Sequence, residues 1–331
     1  MDIKEFSRRL GVSTTTISHA LNGKRPVKAS TRQLIQEKME EWNYIPNINA
    51  RRLVNNRTNM IAFFSEISET LADPYQLEIL RILCRQLRTR NYDLLLDLCH
   101  ETEDAPFASL RNRVQAHAVD GSIIIGANLD AETIGSLTTK DCPCVYIDSL
   151  KHEAIPNAVG ISIDTQQAYR EALLCLRQIG RKRPAVLARI EADCQWKQWR
   201  RQLPETGFEL LPEHCVFSDE SIQGGRDTAL SLLLRTPRPD AILTRTDSQA
   251  QGVLKAAMQL NIKVPQELSI ISFGDVDYAL ESTPPLAMVS FDYRKLGECA
   301  VKVLFELLSA PDHQLEPITF SARFLPRGSL I

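Results

Sequence analysis

Between residues 3 and 42, apolar side chains recur at helical spacing in three short stretches, and the breaks between them leave little choice of local fold. Ile3, Phe6 and Leu10 line one face of a helix of about two turns. Gly11 interrupts that helix with the backbone freedom a tight turn needs. Ser13 stands where an N-cap belongs, with Thr14, Thr15 and Thr16 in the first turn behind it. Ile17, Ala20 and Leu21 give this second helix its buried face, and Asn22-Gly23 ends it. Ile35, Met39 and Trp42 predict a third helix over residues 30–42. Three short helices with a glycine turn between the first two describe a helix-turn-helix unit.

Charge agrees with that reading. Residues 1–60 carry eleven Lys/Arg against five Asp/Glu, a net +6, whereas the other 271 carry 28 against 36, a net −8. A basic head on an acidic body suits a head that meets a polyanion. In such a unit the second helix lies in the major groove with its first residues against base edges. Thr14 and Thr15, with a hydroxyl and a methyl each, and His19 one turn further on, are the candidate base-reading residues. Ser13, Thr16, Asn22, Lys24, Arg25 and Lys28 are the candidate phosphate contacts, which set register without reading sequence.

The run Gly11-Val12-Ser13-Thr14-Thr15-Thr16-Ile17-Ser18-His19-Ala20-Leu21-Asn22-Gly23, with Asn43-Tyr44-Ile45-Pro46-Asn47 and Ala50-Arg51-Arg52-Leu53 after it, resembles the lactose-repressor family. The recognition helix is most similar to that of the purine-repressor branch. The resemblance is dense over residues 3–60 and looser but continuous beyond. It implies that residues 47–59 form a hinge segment and linker, with Ala50, Arg51 and Leu53 reaching the minor groove and Leu53 acting as a wedge. An apolar wedge unstacks one base step and bends the duplex, which admits more contact. So short a helix is not stable in water alone and is expected to order on DNA.

From Met60 onward, β-rich runs such as Ile61-Ala62-Phe63-Phe64, Ser122-Ile123-Ile124-Ile125 and Leu268-Ser269-Ile270-Ile271 alternate with amphipathic helical stretches. Such alternation predicts parallel sheets covered on both faces, an α/β architecture. The resemblance implies a periplasmic-binding-protein-like body of two doubly wound parallel-sheet subdomains after a helix-turn-helix head at 1–46. The expected subdomains are 60–160 with 291–322, and 161–290 with 323–331, within a body of 60–331. Gly180-Arg181-Lys182-Arg183, Val264-Pro265-Gln266-Glu267-Leu268 and Pro284-Pro285-Leu286 are similar to landmarks of the family. The family's tetramer-forming tail is missing after Arg327-Gly328-Ser329, so a homodimer is expected.

Ligands of such bodies bind between the halves, at the carboxyl ends of the strands. The resemblance puts Tyr75, Asp148, Arg189, Gln195, Glu220, Arg245, Thr246 and Asp275 in effector-binding positions. Four family preferences are replaced: an Arg by Gln195, an aromatic by Glu220, an Asn by Thr246 and an Asp by Gly274. Phe273-Gly274-Asp275 is similar to the fructose-responsive branch, whose effectors are phosphorylated sugars. Two readings stay open. An anionic metabolite, a sugar acid or phosphosugar, binds Arg189 or Arg245, with a neutral polyol on Gln195 and Glu220 as a variant; or the pocket is vestigial and a protein partner sets activity.

Other classes find no support in the residues. No run of about 18 apolar residues occurs, so no membrane span is expected. The N-terminus lacks the apolar stretch of a signal peptide, which points to a cytoplasmic protein with reduced thiols. Cys142 and Cys144 form a lone C-x-C pair, a poor metal signature, and neither metal nor cofactor is expected. The six His form no H-x-x-x-H or H-E-x-x-H pair, no nucleophile elbow or phosphate loop follows a strand, and no catalytic residue is assigned. Trp196 and Trp199 beside Lys197, Arg200 and Arg201 suit helix packing or cleft lining better than stacking on bases.

Overall fold

The computed structural model describes the chain except residues 23–25, 47–56, 68–73, 101–104, 106, 126–128, 148–154, 190–193, 275–279, 311–314 and 331. It divides into two compact units, Met1–Asn59 and Met60–Ile331.

In the first unit, helices α1 (Ile3–Leu10), α2 (Thr14–Asn22) and α3 (Ala29–Glu41) surround a core of Phe6, Ile17, Ile35 and Tyr44. The Asp2 carboxylate caps α1 by accepting from the Glu5 N–H at 2.8 Å. Gly11 ends it in the left-handed conformation, φ 68°, donating to the Ser7 carbonyl at 3.0 Å. Helix α3 starts one residue earlier than its periodicity suggests, and Trp42 closes it as the C-cap. Phe6 lies between two aromatic rings, stacked on Tyr44 with centroids 4.4 Å apart and edge-on to Trp42 at 5.5 Å. Tyr44 belongs to no helix, so periodicity alone does not mark it as core.

The second unit holds two six-stranded sheets. The first runs β11-β5-β4-β3-β1-β2, from β1 (Met60–Ile67), β2 (Asp93–His100), β3 (Gly121–Ile125), β4 (Cys144–Ile147), β5 (Ala158–Asp164) and β11 (Ile318–Ser321). The second runs β12-β10-β9-β8-β6-β7, from β6 (Pro184–Ala188), β7 (Cys215–Phe217), β8 (Ala241–Thr244), β9 (Ser269–Gly274), β10 (Ala287–Ser290) and β12 (Arg323–Leu325). Among the described residues, the pairings between these strands are parallel except β10 with β12.

Parallel strands are buried on both faces, which is why they read as unbroken apolar runs. In β3 the residues nonetheless alternate between two cores: Ile123 and Ile125 join one cluster while Ile124 joins the opposite one. Strand β6 does the same in the second sheet, with Val186 and Ala188 on one side and Ala185 and Leu187 on the other. The helices that cover the sheets are α4 (Pro74–Arg88), α5 (Ala108–Gln115), α6 (Ala131–Ser136), α7 (Gln166–Gln178), α8 (Cys194–Glu205), α9 (Ile222–Leu233), α10 (Asp247–Gln259) and α11 (Tyr293–Ser309).

The chain passes between the sheets three times. It leaves the first after Asp164, four residues beyond the expected division at Gly160, because β5 continues pairing with β11 that far. It returns after Ser290, and crosses again between Ser321 and Arg323. Asp164, Ser290 and Ser321 are carboxyl ends of parallel strands, and Arg323 pairs with Ser290. The crossings therefore join the carboxyl edge of one sheet to the carboxyl edge of the other. Phe273, near the end of β9, spans this junction, with Tyr169 of α7 at 6.2 Å and Phe291 at 5.6 Å.

Candidate nucleic-acid interface and ligand edge

Helix α2 carries the candidate base-reading residues on a firmly packed frame. The Ser13 hydroxyl accepts from the Thr16 N–H at 3.1 Å and shares a 2.8 Å bond with the Thr16 hydroxyl, which fixes the first turn. That bond uses one of the two hydroxyl hydrogens and leaves the other to donate. Ile17 is fully buried, with Ala20 and Leu21 packed beside it. On the other side Thr15 is exposed and Thr14 and His19 are half-buried, so Thr15 and His19 share an outer face one turn apart. No acidic residue stands in the first turn to repel phosphate. Lys28 is exposed at the start of α3. The Asn22 side chain, Lys24, Arg25, Ala50, Arg51 and Leu53 lie outside the described residues.

At the carboxyl edge of the second sheet, the structure brings Arg189, Glu220, Arg245 and Thr246 to the ends of neighbouring strands β6, β7 and β8. Three of them are linked. The Arg245 guanidinium donates to the Glu220 carboxylate. Thr246 caps α10, accepting from the Gln249 N–H at 3.2 Å, and its hydroxyl donates to the Glu220 carbonyl at 3.3 Å. Arg245, expected to face an anion, is thus already paired with a residue of its own chain. Arg189 is half-buried and has an interaction of its own. Tyr75 and Gln195 lie in the first turns of α4 and α8, their side chains outside the described residues, as are Asp148 and Asp275.

Two residues that sequence reasoning missed hold this edge together. Gln249 is fully buried and braces both loops: its amide oxygen accepts from the Arg245 N–H at 3.0 Å, and its amide nitrogen donates to the Asp219 carbonyl at 3.1 Å. The Thr246-x-x-Gln249 spacing of a capping box was the available signal. Asp247 is the second. A Cβ on Gly274, which has φ 142°, would fall 2.6 Å from the Asp247 carboxylate, so an aspartate there would strain the backbone and have to displace Asp247. Asp247 is buried, and Ser272 donates to it at 3.3 Å.

The close fit depends on two glycines. A Cβ on Gly225 would meet the Gln249 backbone at 2.5 Å, and one on Gly252 would meet the Ile222 carbonyl at 2.3 Å. Bare backbone on both helices lets α9 press on α10 and carries the Asp219–Ser221 turn over Gln249.

Other sequence candidates serve packing. Trp196 and Trp199 are buried, Trp199 against Tyr169 at 4.1 Å and Trp196 edge-on to Phe217 at 5.9 Å. Burial pushes the Cys142 and Cys144 thiols up to about 12, so both remain protonated near neutral pH. Among the described residues no group of His, Cys, Asp and Glu is placed to hold a metal ion, and no helix is long and apolar enough to cross a membrane.

Known proteins share these features. Residues 2–47 match the model of bacterial regulatory proteins of the lacI family, and residues 168–330 match that of a periplasmic binding protein-like domain. The ribose operon repressor of Escherichia coli (strain K12) is 27% identical over 339 residues, covering 99% of each chain. The transcriptional repressor PurR of Erwinia tasmaniensis is 26% identical over 332 residues, 99% of this chain and 96% of that one. A crystal structure of the lac repressor dimer bound to operator and the anti-inducer ONPF superposes with a TM-score of 0.84 at 20% identity, over 98% of both chains. With the three-helix head, the paired sheets and both domain matches in sequence order, the chain carries a lacI-family helix-turn-helix domain followed by a periplasmic binding protein-like domain.

Proposed function

We propose that the protein is a sequence-specific transcription repressor of the cytoplasm. It binds a pseudo-palindromic operator as a homodimer and is controlled by a small sugar-like effector held between the carboxyl edges of its two sheets. The carrying observation is the outer face of α2. Thr15 and His19 project from a helix whose opposite side is locked on Phe6 and Ile35, in the segment matched by the lacI-family model. Full-length relatives named as repressors support the sign of regulation.

In this reading the head docks α2 in the major groove, Thr14, Thr15 and His19 read bases, and Ser13, Thr16, Asn22, Lys24, Arg25 and Lys28 hold phosphates. Ala50, Arg51 and Leu53 enter the minor groove. Two-fold symmetry of the dimer sets the spacing of the half-sites. Effector and operator act on one equilibrium, so each alters the affinity of the other by the same factor. Tyr75, Asp148, Arg189, Gln195, Glu220, Arg245, Thr246 and Asp275 surround the effector. No catalytic step is assigned to any of them.

The test is selection of a duplex from random DNA, followed by fluorescence anisotropy at fixed salt across sugars, polyols, sugar acids and phosphosugars. Recovery of an inverted repeat whose binding shifts with one compound is the expected result. Enrichment of no sequence above bulk DNA overturns the repressor reading.

A further inference from the structure

We propose that Glu220 is a specificity-determining residue of the effector edge: by holding Arg245 it bars anions and leaves the edge selective for uncharged, hydroxyl-rich ligands. This rests on the effector reading above and narrows its ligand class.

The pair is placed where a ligand would meet it. Glu220 follows β7 and Arg245 follows β8, both at the carboxyl edge that faces the first sheet. The side chains are 14% and 28% exposed, so the pair is largely shielded yet reachable from one side. It is also held in register. Gln249 fixes the Arg245 backbone at 3.0 Å and the Asp219 carbonyl at 3.1 Å, and Thr246 fixes the Glu220 carbonyl at 3.3 Å. An accidental surface ion pair would have no such frame, since exposed pairs are held loosely.

The consequence for ligands is electrostatic. A carboxylate or phosphate approaching Arg245 also approaches the Glu220 carboxylate, with little water between them to screen the repulsion. Asp219, one residue before Glu220, is a further carboxylate at this edge. A hydroxyl meets no such penalty. It can donate to a Glu220 oxygen and accept from a guanidinium N–H, and two hydroxyls on neighbouring carbons match the acceptor–donor pair together.

The experiment is calorimetric titration of the full-length protein with gluconate and with inorganic phosphate at constant ionic strength. Wild type is compared with Glu220→Gln, Glu220→Asp and Glu220→Gln/Arg245→Gln, each checked for an unchanged circular dichroism spectrum. Glu220→Gln should bind at least one of the two anions about tenfold or more tighter than wild type. Glu220→Asp, which keeps the charge, should stay like wild type, and removing Arg245 from the Gln variant should abolish the gain. Equal anion binding by wild type and Glu220→Gln, tight or absent, overturns the proposal, as does a gain that survives loss of Arg245. Operator binding by wild type is scored separately: its absence overturns the repressor reading and leaves the anion result intact.

Discussion

The head and the body present their polar groups in opposite ways. In the head, Thr15 and His19 sit four residues apart on one helix, and a cluster of four buried side chains behind them supplies the support. In the body, Glu220 comes from one segment and Arg245 and Gln249 from another 25 residues on, and they meet because β6, β7 and β8 lie side by side and α9 presses on α10. A surface made on one helix survives whatever leaves that helix folded. An assembled one is lost with any slip in packing, and for the same reason it can respond to movement between the sheets. That difference suits a fixed DNA reader joined to a ligand-sensitive body.

Substitutions can break the comparison from either side. The largest effect is expected from Phe6→Ala. Emptying an aromatic site costs about 3–5 kcal/mol, close to all the stability a head this small can hold. Thermal unfolding followed by two probes should show the head lost, operator binding abolished and the transition of the body unmoved; a shift of the body transition would mean the two units do not fold independently. Gly252→Leu attacks the other side. Its side chain has to displace the α9 backbone, at a cost of about 3 kcal/mol, so the body transition should fall while the head transition of the same full-length variant stays in place.

Leu53→Ala sharpens the contrast without unfolding either region. Losing the wedge should weaken operator binding by about 2 kcal/mol and leave non-specific binding alone; equal losses on both DNAs would remove Leu53 from the groove. The smallest effect is expected from His19→Ala, about 1–2 kcal/mol and confined to one base position. Its signature is a changed base preference at an unchanged salt slope. A changed slope with the same preference would make His19 a phosphate contact.

How much could be read without coordinates follows the same divide. Phe6, Ile17 and Ile35 declare themselves by spacing, but Tyr44 does not, because it stacks on Phe6 from a loop that has no period. The β runs locate the sheets, yet the first crossing is at Asp164 and not Gly160, since pairing with β11, more than 150 residues away, extends β5. The pairing of Arg245 is not legible in the sequence, because a lone arginine near a strand end gives no sign of its partner. Glu220 is 25 residues distant and reaches it over a brace, Gln249, that sequence reasoning did not single out.

By itself the sequence determined what depends on near neighbours: three short helices about a glycine turn, a basic head on an acidic body, apolar runs that form strands buried on both faces, and a second helix with its polar residues on one outer face. Helical and strand periods are local properties, so no distant contact is needed to express them. Only the tertiary structure decided how the carboxyl edges face each other, that Asp247 fills the space opened by Gly274, and that Arg245 is already neutralised by Glu220. Those facts rest on contacts between residues far apart in the chain, and the charge a ligand meets there is set by the partner each group finds, not by the group alone.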